Sequence, residues 1–99
     1  MNGSRKSVSI TVKSFATLRE VMDAQIQIEV GEGATVRSLL DTLTTRYPGL
    51  DGMIFSSPGM LRDFVNILRN GRNIEFLAGL DTPLAEGDLV ALFPPAAGG

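Results

Sequence analysis

The sequence predicts an α+β roll, a mixed sheet with one main helix packed across it. Three observations carry that expectation. Two stretches near the start alternate apolar and polar residues with a period of two. One later stretch repeats apolar residues at helical spacing. A short run near the end is apolar on both faces, as a central strand is. The 99 residues suit a single domain, placed at 7–93 between a disordered extension at 1–6 and a flexible tail at 94–99.

The elements follow in order. Val8, Ile10 and Val12 alternate with Ser7, Ser9, Thr11 and Lys13, which is a strand with one buried face. Ser14 keeps the buried parity and Phe15 breaks it, so the strand bends or ends there. The stretch Phe15-Ala16-Thr17-Leu18-Arg19-Glu20-Val21-Met22 is compatible with a turn of helix or an ordered loop. Ala24, Ile26, Ile28 and Val30 then alternate with Gln25, Gln27 and Glu29, and Gly31-Glu32-Gly33 ends this second strand. The two strands are expected to pair antiparallel.

Thr35 is a candidate helix cap. Val36, Leu39, Leu40, Leu43 and Tyr47 form one apolar stripe, with Arg37, Asp41, Thr42, Thr45 and Arg46 mostly opposite. This is the pattern of a core-facing helix, and Pro48-Gly49 is expected to stop it. Residues 50–63 show no regular period. Ser57-Pro58-Gly59 marks a turn, and Met53, Ile54, Phe55, Met60 and Leu61 are expected to fold over the sheet edge or the helix end, with a mobile, Met-containing partner surface as the second reading. Residues 64–69 read as a strand. Asn70-Gly71 signals a type I′ hairpin, which needs positive φ at both central residues, and Arg72-Asn73-Ile74 starts the return. Residues 75–86 form a looping connection, and Gly87-Asp88 turns into the last strand, Leu89-Val90-Ala91-Leu92-Phe93. That strand is expected to be central and parallel to the first.

Composition excludes several classes. The net charge of −2 and the lack of a basic cluster beyond Arg5-Lys6 argue against a nucleic-acid partner. No apolar run approaches the length of a membrane span. No apolar stretch follows the early charges, so a secretory signal is not expected and the cytoplasm is the default location. There is no cysteine, hence no disulfide, no thiolate nucleophile and no thiolate metal site. There is no histidine, the commonest general base near neutral pH. Lysine occurs only at Lys6 and Lys13. No metal or bound cofactor is expected, and the chemistry falls to a partner rather than to this chain.

The sequence closes Pro94-Pro95-Ala96-Ala97-Gly98-Gly99. Proline cannot donate to a sheet ladder, so the strand ends at Phe93. Two prolines favour an extended stem. Two alanines and two glycines follow with almost no side-chain bulk, a shape that threads a narrow channel. What such a tail delivers is the Gly99 carboxylate, which is ionised at neutral pH and is a poor acyl donor until another protein activates it. Small residues are common at chain ends, so Gly-Gly gains meaning only with the stem and strand before it.

With this order of elements the chain closely resembles the MoaD/ThiS family, which has the ubiquitin-like β-grasp fold. The resemblance covers nearly everything after residue 7. It rests on Phe15-Ala16-x-Leu18-Arg19-Glu20, on Thr35-Val36 leading Leu39-Leu40, on Tyr47-Pro48, and on Asn70. It is most specific over Pro83-Leu84-x-x-Gly87-Asp88-x-Val90-Ala91-Leu92-Phe93-Pro94-Pro95-x-x-Gly98-Gly99. The Pro-Pro stem looks like molybdopterin-synthase small subunits and archaeal ubiquitin-like modifiers, and unlike thiamine-pathway carriers. The extension at 1–6 departs from the family pattern, and 51–63 is longer and more apolar than in short members.

The resemblance implies a mechanism. A ubiquitin-activating-type enzyme uses ATP to adenylate Gly99. The acyl group then becomes a thiocarboxylate, which donates sulfur to a pterin precursor or a tRNA base, or it passes to a substrate lysine as a protein tag. The implied partners are that adenylating enzyme, the molybdopterin-synthase large subunit and substrate-protein lysines. Gly99 is the reactive residue, and Gly98, Ala97 and Ala96 keep the tip thin behind the stem of Pro94 and Pro95. Val90 and Leu92 share one face of the last strand; Leu89, Ala91 and Phe93 share the other. Family members often carry a charge at the Leu89 position, which points the second face outward and makes Phe93 a candidate partner anchor. The competing role for Phe93 is to plug the end of the barrel. Leu68 and Phe15 are candidates on similar grounds, and Arg19 suits either an acidic partner surface or plain solvation. A different class of reading is a non-catalytic interaction module with an unreactive tail.

Overall fold

The computed structural model describes residues 6–95. The first alternation forms β1 (Ser7–Ser14) and the second forms β2 (Gln25–Gly31). They pair antiparallel in the register Val8↔Val30, Ile10↔Ile28 and Val12↔Ile26. That register puts the apolar residues of both strands on one face, and a slip by one residue would turn them all to water. Between them, Ala16–Glu20 is a 3-10 turn with only Leu18 buried. The buried Ser14 hydroxyl is satisfied there, donating to the Asp23 carbonyl at 2.8 Å.

The main helix is α1 (Val36–Arg46). Thr35 caps it in a reciprocal box: its side chain accepts from the Ser38 N–H, and the Ser38 hydroxyl oxygen accepts from the Thr35 N–H at 2.8 Å. Val36, Leu39, Leu40 and Leu43 are fully buried against the sheet, each side chain contributing about 1.5–3 kcal/mol by leaving water. Tyr47 stays half-buried and donates its hydroxyl to Asp23 at 3.3 Å.

Pro48-Gly49 does not lead into irregular chain. Tyr47 leaves the helical region (φ −126°, ψ 83°), and Pro48 opens a second helix, α2 (Pro48–Ile54). Proline disfavours helical backbone in the residue before it, yet its own φ fits the first helical position. One residue therefore ends α1 and starts α2. Leu50 and Ile54 of α2 join the core. The small hairpin β3 (Phe55–Ser57) and β4 (Met60–Leu61) follows, turned by Pro58-Gly59. Phe55 and Leu61 pack against the core, whereas Met60 is exposed.

The next strand, β5 (Asn66–Arg69), is shorter than its sequence suggests. Phe64 takes φ +68°, which no strand accommodates, so pairing begins only after it. Asn70 (φ +50°) and Gly71 (φ +86°) make the expected tight turn into β6 (Arg72–Asn73). The connection onward holds two 3-10 turns, Ile74–Phe76 and Gly79–Asp81, and Thr35 bridges to Pro83. The last strand is β7 (Leu89–Phe93).

The five-stranded sheet runs β2-β1-β7-β5-β6. β7 is central, parallel to β1 and antiparallel to β5. Where β7 begins, Asp88 is almost fully buried. It accepts hydrogen bonds from the Asn70 amide at 2.9 Å and the Ala85 N–H at 2.8 Å, and lies 3.3 Å from Arg69 Nε. The Asn70 side-chain oxygen accepts from the Leu89 N–H at 2.9 Å. Of the proposed extension, Lys6 is described: its carbonyl accepts from the Glu32 N–H at 3.1 Å. Residues 1–5 and 96–99 lie outside the described residues.

Thr35→Ala removes the cap and is expected to lower unfolding free energy by about 1 kcal/mol in urea titration. Asn70→Ala deletes both side-chain bonds and puts a strained residue at positive φ, at an expected cost of roughly 2–3 kcal/mol.

Candidate functional site

The site is built on the outer face of the sheet, at the end where β7 leaves it. Val90 and Leu92 point into the core and are fully buried. Leu89, Ala91 and Phe93 point the other way and are half-buried. Phe93 is therefore on the outer face, at the end of the sheet.

Neighbouring strands extend this face. Ala91 is opposite Leu68 on β5 and Lys13 on β1. Directly paired residues share a face, so Leu68 lies beside Ala91, two positions along β7 from Phe93. Ser14 pairs with Leu92, and the chain turns outward at Phe15 immediately beyond. The Phe15 ring stacks on Phe93, with centroids 4.4 Å apart and planes 7° from parallel. The Arg19 guanidinium lies 5.3 Å from the centroid of the Phe15 ring, and its Nε donates to the Ser14 carbonyl at 2.9 Å. A cation held over a ring is attracted by its quadrupole. Arg19, Phe15 and Phe93 thus form one stacked cluster, in which Arg19 remains exposed.

The 3-10 turn Ala16–Glu20 places the first two of these. Ala16 takes φ +54°, an unusual conformation for a residue with a Cβ, and it swings the chain so that Phe15 faces β7 and Arg19 returns over it. The sequence shows Phe15, Arg19, Leu68 and Phe93 as separate candidates. The structure groups three in one stack and sets Leu68 on the same face.

The stem continues from the stack. Pro94 and Pro95 are half-buried. Pro95 borders a cleft of about 420 Å³ whose other walls are Ser56, Met60, Leu61, Arg62 and Asp63. The Arg62 Nε is committed to the Gly52 carbonyl at 2.8 Å, which ties this wall to α2. Of this β3–β4 shoulder the sequence points to Phe55, Met60 and Leu61, first as cover for the sheet edge or helix end and second as a partner surface, but not to Ser56, Arg62 or Asp63. Its only sequence signals are the turn at Ser57-Pro58-Gly59 and the apolar residues around it. The candidates Ala96, Ala97, Gly98 and Gly99 lie outside the described residues. Among the described residues, no group of acidic side chains is placed to hold a metal ion, and no helix is long and apolar enough to cross a membrane.

A five-stranded mixed sheet crossed by one main helix, with an apolar outer face leading to a proline stem, defines a small ubiquitin-like β-grasp carrier. The chain belongs to the ThiS family, whose model matches residues 12–99. It is 40% identical over 93 residues to small archaeal modifier protein 3 of Haloferax volcanii, covering 93% of this chain and 100% of that one. It is 34% identical over 94 residues to the sulfur carrier protein CysO of Mycobacterium tuberculosis, covering 93% and 100%. The crystal structure of small archaeal modifier protein 1 from Haloferax volcanii superposes with a TM-score of 0.80 at 40% identity, covering 92% of this chain and 99% of that one. The relatives are named as modifiers and carriers, in keeping with a chain that is carried and transferred rather than one that catalyses.

A double-mutant cycle on Phe15→Ala and Phe93→Ala is expected to give about 1 kcal/mol of coupling in denaturant unfolding. Strictly additive losses would mean that the two rings do not stabilise each other in solution.

Proposed function

We propose that Gly99 is the acyl group this carrier delivers. An ATP-dependent adenylating enzyme of the ubiquitin-activating type binds the outer face and receives the tail. The carboxylate oxygen of Gly99 attacks the α-phosphorus of ATP, pyrophosphate leaves, and an acyl-adenylate remains. A persulfide on a partner attacks that anhydride and AMP departs. Reductive cleavage of the acyl persulfide by a thiol leaves the thiocarboxylate. With no cysteine of its own, this chain carries sulfur only at that terminus.

The observation that carries this reading is the position of the stem. Pro94-Pro95 leaves the central strand directly beside the Arg19–Phe15–Phe93 stack, so the apolar face and the tail present together. A stiff stem lowers the ordering cost when the tail enters a channel. Phe93 and Leu68 supply apolar contact, and Arg19 supplies a cation for an acidic partner surface. The similarity to CysO favours sulfur transfer. The acceptor is then a pterin precursor or a tRNA base, with the molybdopterin-synthase large subunit as one candidate partner. The similarity to the archaeal modifiers favours conjugation to substrate lysines. Both uses begin with the same adenylate and take place in the cytoplasm.

Deleting Gly99 is expected to abolish ATP–pyrophosphate exchange with the activating enzyme while leaving the thermal midpoint unchanged, because a terminal glycine has no side chain to bury. Gly99→Ala adds a Cβ beside the anhydride and is expected to slow exchange without abolishing it. A silent deletion would instead support a plain interaction module. Intact-mass and peptide spectra of the protein from its own cells separate the two uses. Replacement of one terminal oxygen by sulfur marks the carrier, and peptides branched from a lysine through Gly99 mark the modifier.

A further inference from the structure

None of the five phenylalanines lies in the fully buried core. Two form the outer stack, and Phe55 packs at the core's margin. Phe64 and Phe76 are left in water, with 73% and 81% of their surface exposed. Phe64 is the more unusual, because it is also held at φ +68°. A bulky residue in the left-handed region is strained, whereas glycine or asparagine would sit there comfortably. Phe64 therefore gives up backbone comfort and apolar burial at one position, and the fold gains nothing visible in return. Strain of this kind clusters at functional positions.

Its place in the fold suggests what it serves. Asn66 pairs with Phe93 across antiparallel strands. Phe64 lies two residues before Asn66, and Pro95 lies two residues after Phe93, so both stand beyond the same end of the sheet. Asp63 and Pro95 line the same cleft. The Asn66 amide donates to the Phe64 carbonyl at 3.4 Å, which steadies the turn. Phe76, by contrast, follows the edge strand β6 with an unstrained backbone.

The length of the tail identifies the occupant. Four residues follow Pro95. At about 3.5 Å per extended residue, the Gly99 carboxylate is no more than roughly 14 Å from Pro95. A protein whose active centre closes on that carboxylate must cover the surface around Pro95, including the shoulder that carries Phe64. We propose that Phe64 is a second anchor for the adenylating enzyme, inserted into an apolar pocket of that enzyme separate from the one that meets the Phe15–Phe93 stack. This rests on the reading of Gly99 as the adenylated group.

The test uses the full chain in ATP–pyrophosphate exchange with the ubiquitin-activating-type enzyme purified from the same cells. Phe64→Gly removes the ring and relieves the strain, so its thermal midpoint is expected to stay level or rise. Its KM in the exchange assay is expected to rise about 10-fold or more, with kcat within about twofold of the parent. Phe64→Tyr is expected to restore most of the affinity. Should Phe64→Gly unfold more easily than the parent, Phe64→Asn takes its place in the same assay, since asparagine also tolerates positive φ. An unchanged KM overturns the proposal. So does a parent chain that sedimentation shows to be a dimer, made monomeric by Phe64→Gly with KM unmoved, for the ring then meets a second copy. If the parent supports no exchange at all, the reading of Gly99 falls and the anchor with it. Parent exchange with an unaffected Phe64→Gly sinks the anchor alone.

Discussion

The structure depends on the two ladders that hold β7. Parallel to β1 on one edge and antiparallel to β5 on the other, this five-residue strand joins the two halves of the chain. Its inner residues, Val90 and Leu92, are fully buried in the core to which α1 and α2 contribute. Its outer residues are only half-covered, because among the described residues no second layer closes that face. A central strand with one apolar face left open is costly unless something else uses it. The same strand runs straight into the proline stem, so the open face and the Pro94-Pro95 stem have a fixed relation.

The two ends of β7 are fastened by different chemistry. At its start, the Asp88 carboxylate, the Asn70 amide and the Leu89 N–H form a compact polar network, with Arg69 alongside. Buried carboxylates need such partners, and these also fix where the Asn70-Gly71 hairpin meets the last strand. At its finish the fastening is apolar and cationic. Phe93 stacks on Phe15, and Arg19 lies over the Phe15 ring. The polar end leaves little to offer a partner. The aromatic end still presents ring edges and a guanidinium to solvent, and that is the end from which the tail departs.

Among residues other than glycine, positive φ is distributed in the same way. At the polar end it falls on Asn70, which tolerates it. At the tail end it falls on Ala16 and Phe64, which do not. Ala16 has a local explanation, since its turn brings Phe15 and Arg19 over β7. Phe64 has none within the fold, and its strained backbone and exposed ring coincide on the shoulder beside Pro95.

The sequence by itself determined the parts whose cause is local. Alternation placed β1 and β2, because side chains switch faces at every residue. The stripe from Val36 to Leu43 placed α1, because helical spacing collects those residues on one side. Asn70-Gly71 placed the hairpin, because only such residues accept its backbone. The parity of β7 separated Phe93 from Val90 and Leu92. Other features depended on the tertiary structure. Pro48 chemically fits both the end of one helix and the start of the next, and only packing of Leu50 and Ile54 into the core makes it a start. The strand expected at 64–69 loses its first residues because Phe64 takes left-handed backbone, which no strand ladder continues through. The stack of Arg19, Phe15 and Phe93 joins residues from opposite ends of the chain, and no periodicity encodes such a contact. It exists because β1 and β7 lie parallel and end side by side.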